Sequence, residues 1–291
     1  MTPDQQQRRE EKAAARARLL ERLQEEDSAH AARLEKCGKT FNLICTNCGT
    51  VRPAFTRCDI KWCPSCAPAL VTRTVRRYEA ALTRMQWPLF VTLTTTNFRT
   101  GPDCIRAVRR AFGKLRRLRW FRRVVAGGIA AVEVTNRGKG WHPHVHALLD
   151  CRWLAVTVPA PPPAATKDIV SRRGKSACAE VAAQWTLCMG GRRSACKVRR
   201  VYARDGGDIR PALAEVLKYS VTADTLLDIE EPLSPLLDVM TATRLVTSWG
   251  NCYRLGTTRD KRSGCPCDKC HSMDAWMPEC VVEADIRRSR R

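Results

Sequence analysis

The 291 residues carry 51 Lys and Arg against 29 Asp and Glu, a net charge of +22, with 44% hydrophobic and 6% aromatic residues. That length allows a sizeable core in one large domain or two ordinary ones, and the charge favours a polyanionic partner, nucleic acid ahead of an anionic membrane or ribosome surface. The start has no apolar leader and no stretch nears the roughly 18 apolar residues of a membrane span, so the 16 cysteines are expected in a reducing cytoplasm as metal ligands, not in disulfides.

Residues 5–36 predict a charged helix with little apolar stripe, a solvated or partly disordered arm. A cysteine-dense stretch runs from Cys37 to Cys66. Residues 68–85 predict a helix with Leu70, Val71, Val75, Tyr78 and Leu82 on one side, and 88–98 a half-buried strand. Residues 105–125 predict a basic amphipathic helix whose apolar side is Ile105, Val108, Phe112, Leu115 and Leu118. Strands over 127–135 and 140–150 follow, joined by the hairpin loop Asn136 to Lys139. The proline-rich 158–166 reads as an exposed excursion. A helix near 175–188, a strand over 197–203 and a helix over 210–221, with Pro211 in its first turn, come next. From about 240 the tail is mixed and holds a second Cys/His cluster. The middle of the chain reads as α+β, a mainly antiparallel sheet flanked by helices, with no repeat of solenoid length.

Within the second hairpin strand, GWHPHVHALLD (140–150), stand three of the chain's five histidines. Alternation places His142, His144 and His146 in a row on one face, a pattern that suits a divalent ion. With a four-residue loop at 136–139, Thr135 pairs with Gly140, Glu133 lies opposite His142 and shares the histidine face. A mixed imidazole–carboxylate set suits Mg²⁺ or Mn²⁺ acting on a phosphate. Further along, Glu215 and Tyr219 are four residues apart on one helix face, with Lys218 adjacent. A tyrosine can attack phosphorus when a metal or cations activate it, and a nearby glutamate can serve as general base. By itself the pair is an ordinary helix surface.

Together these segments resemble the rolling-circle replication initiators of the HUH endonuclease superfamily, in particular the single-tyrosine plasmid Rep family. FVTLTTTN (90–97) is similar to that family's first motif, WHPHVHALL to its second and EVLKYS to its third, while TRCDIKWCPSCA resembles the cysteine segment before the nuclease. The resemblance spans roughly residues 37–230. It implies attack by Tyr219 on a phosphodiester of single-stranded DNA, leaving a 5′-phosphotyrosine and a free 3′-OH primer. It also implies a divalent ion on His144 and His146, with Glu133 or His142 as a third ligand, and water activation by Glu215 at termination. The implied partners are single-stranded or cruciform origin DNA and a bacterial host's helicase and polymerase, with no membrane. The same chemistry serves transposases and relaxases, and a non-catalytic zinc-dependent DNA-binding regulator is the alternative from another class.

Spacing alone pairs Cys45-x2-Cys48 with Cys63-x2-Cys66 in a structural zinc site, with Cys37 and Cys58 extra. The resemblance instead implies Cys37, Cys58, Cys63 and Cys66. A second zinc site is read in the tail at Cys265, Cys267, Cys270 and His271. Among the basic residues of 106–123, Arg109, Arg110, Lys114, Arg116 and Arg117 are candidate phosphate contacts, and Trp120 a candidate base-stacking ring. The expected division is a charged arm (1–36), a zinc segment (37–68), the nuclease domain (69–230) and a C-terminal region (231–291).

Overall fold

A computed structural model describes residues 2–201, 210–217, 226–253 and 269–270, and residues 276–278 as backbone. Five strands form the central sheet: β3 (Pro88–Thr95), β4 (Gly127–Asn136), β5 (Trp141–Asp150), β6 (Ser194–Arg200) and β7 (Val246–Gly250). Their order is β6-β3-β5-β4-β7, and every pairing is antiparallel. A small sheet is built from β1 (Thr40–Cys45), β2 (Val51–Phe55) and β8 (Trp276–Pro278), in the order β2-β1-β8.

Alternation gives the central sheet two different faces. Leu89, Val91, Leu93, Ala130, Val132, Val145, Ala147 and Leu149 point to one side. There they meet α4 (Gly101–Leu115), α5 (Arg119–Val124), α6 (Lys167–Cys188) and α8 (Ser234–Ala242). Phe90, Ile129, Ala131 and Leu148 point to the other side, under α3 (Ala67–Leu82) and α7 (Arg210–Leu217). Cysteine clusters beside a mixed helix and antiparallel-sheet architecture agree with an α+β fold. Among the described residues, no helix is long and apolar enough to cross a membrane.

α4 forms because Cys104, Ile105, Val108, Ala111, Phe112 and Leu115 recur at helical spacing and are all buried. Thr100 caps it by accepting from the Asp103 amide, and Asp103 in the first turn complements the helix dipole. The single helix expected over 105–125 is two. Leu118 is extended (ψ 137°) and turns the chain, so that α5 can bury Phe121.

The N-terminal arm differs from its expectation more. α1 (Pro3–Glu25) and α2 (Ala29–Glu35) are exposed along their charged faces, yet Leu19, Leu23 and Leu34 are wholly buried in the core. Arg22 donates to the carbonyls of Leu226 and Glu231, and the Glu26 carboxylate accepts from the amides of Leu233 and Ser234. A stripe of two leucines at i, i+4 is enough to dock a helix once a tertiary partner supplies the other wall. The residues after 230 likewise do not stand apart from the sheet: α8 packs on α4, and β7 adds an edge strand beside β4.

The hairpin β4–β5 pairs Asn136 with Trp141, so the loop is residues 137–140, one residue later than expected. Gly138 (φ 77°) and Gly140 (φ 85°) take the left-handed conformations the turn requires, and the Gly138 amide donates to Asn136 Oδ1 at 3.0 Å. The loop keeps an even length, so Glu133 stays on the histidine face, but opposite His144 and not His142.

Asp150 ends β5 as a buried carboxylate. It accepts from the amides of Gln86 (3.0 Å) and Trp87 (2.8 Å) and from Asn251 Nδ2 (2.7 Å), joining the start of β3 to the end of β7. Asp150→Ala leaves buried donors unmatched and is expected to cost about 2–4 kcal/mol in urea denaturation. A denaturation midpoint equal to the wild type's would refute this role.

Candidate active site and metal centres

The side chains of His142, His144 and His146 stand half-buried in a row along β5. Thr92 and Thr94 of β3 flank them on one side, as the register partners of His146 and His144. Ala131 and Glu133 of β4 flank them on the other. The rings of His142 and His144 meet edge-on at 4.6 Å, and those of His144 and His146 stack at 5.6 Å and 12°. His146 Nε2 donates to Glu133 Oε2 at 2.7 Å, and the Thr92 hydroxyl lies 3.3 Å from His146 Nδ1. His142 Nδ1 pairs with Asn97 Oδ1 at 2.7 Å. His144 Nδ1 is buried with no hydrogen-bond partner. Burial, followed by the neighbouring His142, pushes the His144 pKa down to about 4, so its ring is neutral at neutral pH.

Adjacent ligands of a six-coordinate Mg²⁺, each about 2.1 Å from the ion, stand about 3 Å apart, so Glu133 and His146 have the spacing of neighbouring ligands. His144, one rung along, supplies a neutral imidazole whose orphaned nitrogen an ion would satisfy. The donor types therefore fit a divalent cation. Among the described residues, the groups in which three or more ligand atoms already converge are both made of cysteines.

Glu215 lies on α7, whose Leu213, Val216 and Leu217 pack onto Phe90, Ile129, Ala131 and Leu148. These are the apolar residues of the histidine face. Glu215 Oε2 accepts from Arg199 Nη2 at 2.7 Å, and the Arg199 guanidinium lies 4.9 Å over the Phe90 ring, which meets His146 at 5.8 Å. Glu215 is thus linked to His146 through Arg199 and Phe90. Lys218 and Tyr219 lie outside the described residues.

The cysteines fall into two groups. Cys37, Cys58, Cys63 and Cys66 converge, with sulfur separations of 3.7 Å (Cys37–Cys63), 3.4 Å (Cys37–Cys66) and 3.7 Å (Cys58–Cys66). Four thiolates about 2.3 Å from a tetrahedral zinc stand about 3.8 Å apart, close to these values. A hydrogen bond from Cys58 brings the Cys63 pKa down to about 5 against the effect of burial, while burial pushes Cys37 up to about 11. Cys45 and Cys48, which spacing alone had paired with Cys63 and Cys66, instead meet Cys270. Cys265, Cys267 and His271 lie outside the described residues. Both groups can hold a metal ion such as zinc.

The candidate DNA-binding residues of α4 are on the sheet face opposite the histidines. Arg110, Lys114 and Arg117 are exposed there, whereas Arg116 is half-buried, its guanidinium 4.9 Å over the Trp249 ring. Trp120 packs edge-on against Phe121 at 5.5 Å, beside the core. Charge also gathers on the histidine side: Lys61, Arg73 and Arg77 line a cavity of about 220 Å³ together with Ala131, the register partner of His146, and Leu217 of α7. Burial lowers the Lys61 pKa, and the proximity of Arg109 and Arg244 lowers it further. Leu245 lines this cavity and also a smaller one flanked by Arg109, Arg116 and Arg244. The basic surface thus turns around the β4–β7 edge from one face to the other. A further basic cleft of about 520 Å³ lies between α1 and the zinc segment, with Arg8, Arg9, Lys12, Arg16 and Arg57 in its walls.

The site thus joins a histidine row with an adjacent carboxylate, a cysteine cluster earlier in the chain and basic clefts. Residues 52–152 match the family model described as Replication protein. The match runs from β2 through Cys58, Cys63 and Cys66 to the end of β5, and so includes Glu133 and all three histidines. The match covers about a third of the chain and supports a replication initiator of the rolling-circle kind. It ends before α7. No curated protein and no solved structure matches the chain.

Sequence reading did not single out Thr92, Asn97, Arg199, Lys61, Arg73, Arg77 or Arg244. Thr92 could have been found, since alternation along a strand antiparallel to β5 puts every second residue of β3 beside the histidines. The cations could not, because they come from four separate segments of the chain: the loop at 56–66, α3, β6 and the loop before β7.

Proposed function

We propose that this protein nicks and rejoins one strand of origin DNA to start rolling-circle replication, with Tyr219 as nucleophile. The phenolate oxygen of Tyr219 attacks phosphorus and the P–O3′ bond breaks. The 5′ end stays on the enzyme as a phosphotyrosine, and the freed 3′-OH primes the host polymerase on a template opened by a host helicase. Glu133, His144 and His146 would hold the divalent ion, with His142 beside them. Such an ion supplies Lewis-acid polarisation of the scissile phosphate. Glu215 takes the proton of the water or hydroxyl that ends the cycle, and Lys218 offers positive charge beside the nucleophile.

The observation that supports this reading most is the seat of α7. This helix bears Glu215, ends two residues before Tyr219 in the sequence, and packs on the sheet face that carries the histidine row. Lys61, Arg73 and Arg77 supply a basic wall beside Ala131, suited to the phosphates of a single strand. Arg109, Arg110, Lys114 and Arg117 would take DNA on the far side of the β4–β7 edge.

The test works without the origin sequence in hand. The protein is incubated with a random-sequence single-stranded DNA library and Mn²⁺, and adducts that survive SDS are collected. Wild type is expected to yield covalent adducts enriched in one sequence, and Tyr219→Phe none. A wild type without adducts, as a DNA-binding regulator would be, or an undiminished adduct with Tyr219→Phe, overturns the proposal.

A further inference from the structure

The small sheet β2-β1-β8 poses a physical problem. Its strands β1, β2 and β8 have six, five and three residues, and the buried cluster it encloses is Cys45, packed against Cys48 and Cys270. Three short strands closing over three thiols bury too little apolar surface to hold a distant segment of chain in place. Yet Cys45 and Cys270, 225 residues apart in sequence, have their sulfurs 3.6 Å apart, and β8 pairs with β1 from Leu43 to Cys45.

We propose that Cys45, Cys48 and Cys270 form a second structural zinc centre that clasps Cys270 and the strand β8 to the N-terminal hairpin. Cys45-Thr46-Asn47-Cys48 forms the turn between β1 and β2. The Gly49 amide donates to the Cys45 carbonyl at 2.8 Å, and Gly49 takes a positive φ of 70°. A turn of this kind directs two sulfurs to one point. The 3.6 Å sulfur separation is close to the edge of about 3.8 Å for a zinc tetrathiolate. Binding releases the protons of the three thiols and leaves a Zn²⁺ on three thiolates, with its fourth position open to a further ligand.

The centre differs from a zinc site contained within the tail, because Cys45 and Cys48 of the first hairpin supply two of its ligands. It is also separate from the group formed by Cys37, Cys58, Cys63 and Cys66. Its function is to close the chain on itself, holding Cys270 and β8 against the β1–β2 hairpin. The clasp does not depend on the nicking activity.

Zinc is counted by mass spectrometry on the full chain, purified with zinc and dialysed against a weak chelator. Two ions per chain are expected for the wild type, and one each for Cys270→Ser and the double variant Cys45→Ser/Cys48→Ser. Loading with Co²⁺ gives a second reading: the thiolate-to-cobalt charge-transfer band should fall by half in each variant. Cys270 is only half-buried, so its serine variant decides the matter if the double variant does not fold. One zinc in the wild type, or two retained in Cys270→Ser, overturns the proposal.

Discussion

Alanine at both His144 and His146 is expected to lower adduct formation on single-stranded DNA by about 10³-fold or more, with the fold retained. Lewis-acid stabilisation by a divalent ion contributes several kcal/mol to a phosphoryl transition state, and ~4 kcal/mol corresponds to about 10³ in rate. Retention of the fold follows from where the rings lie. They stand half-buried at one end of a face whose apolar half, Phe90, Ile129, Ala131 and Leu148, is covered by α3 and α7. His144 Nδ1 makes no hydrogen bond that would be lost. Glu133→Gln separates the carboxylate's roles. The amide keeps an acceptor for His146 but loses the charge an ion needs, so activity should drop about 10- to 100-fold and recover partly at higher Mn²⁺. The double variant is compared with wild type by circular dichroism and by adduct yield. Wild-type adduct yield in a folded His144→Ala/His146→Ala protein would remove the histidines from the chemistry.

The histidine face was readable because strand alternation is a local rule: three residues at i, i+2 and i+4 share a side whatever the tertiary structure does. The partner of Glu133 was misassigned by one rung because the pair of glycines at 138 and 140, with the Asn136 side chain, sets the turn one residue later. The helix at 101–115 was readable for the same local reason, but its break at Leu118 was not, since Phe121 enters the core only after the turn. Long-range features left weaker traces. Leu19 and Leu23 sit in a run of charges, and the bonds that anchor the end of their helix, through Arg22 and Glu26, reach residues 226–234, some 200 residues away. Cys45 and Cys48 read as half of a local zinc site because their other partner is 225 residues away. The α+β class, the cysteine clusters and the histidine row were thus legible in the sequence. How Glu215 reaches that row depends on α7 packing against the sheet, which no short-range pattern encodes.

Removal of zinc from Cys37, Cys58, Cys63 and Cys66 is expected to unfold the segment between residues 36 and 66 and to release α1 and α2 with it. Residues 56–66 contain no strand or helix that could hold them. What they bury, Ile60 and Trp62, joins the core beside the thiol cluster. The helices depend on the same segment: Arg33 donates to the Cys58 carbonyl at 3.1 Å, and the His30 ring meets Trp62 edge-on at 5.9 Å. Zinc bound to small tetrathiolate or mixed Cys/His sites contributes about 10 kcal/mol or more, comparable to the whole stability of an ordinary domain. Cys63→Ser, or a strong chelator, should therefore abolish the cooperative transition of this segment and expose it to trypsin. The central sheet keeps its own core, so the break should be local first. The measurement is limited proteolysis with mass mapping, alongside Trp fluorescence. Zinc-free protein that resists cleavage between residues 36 and 66 as well as the wild type does would show that packing of Ile60 and Trp62 suffices, and that the four thiols are structural without a metal.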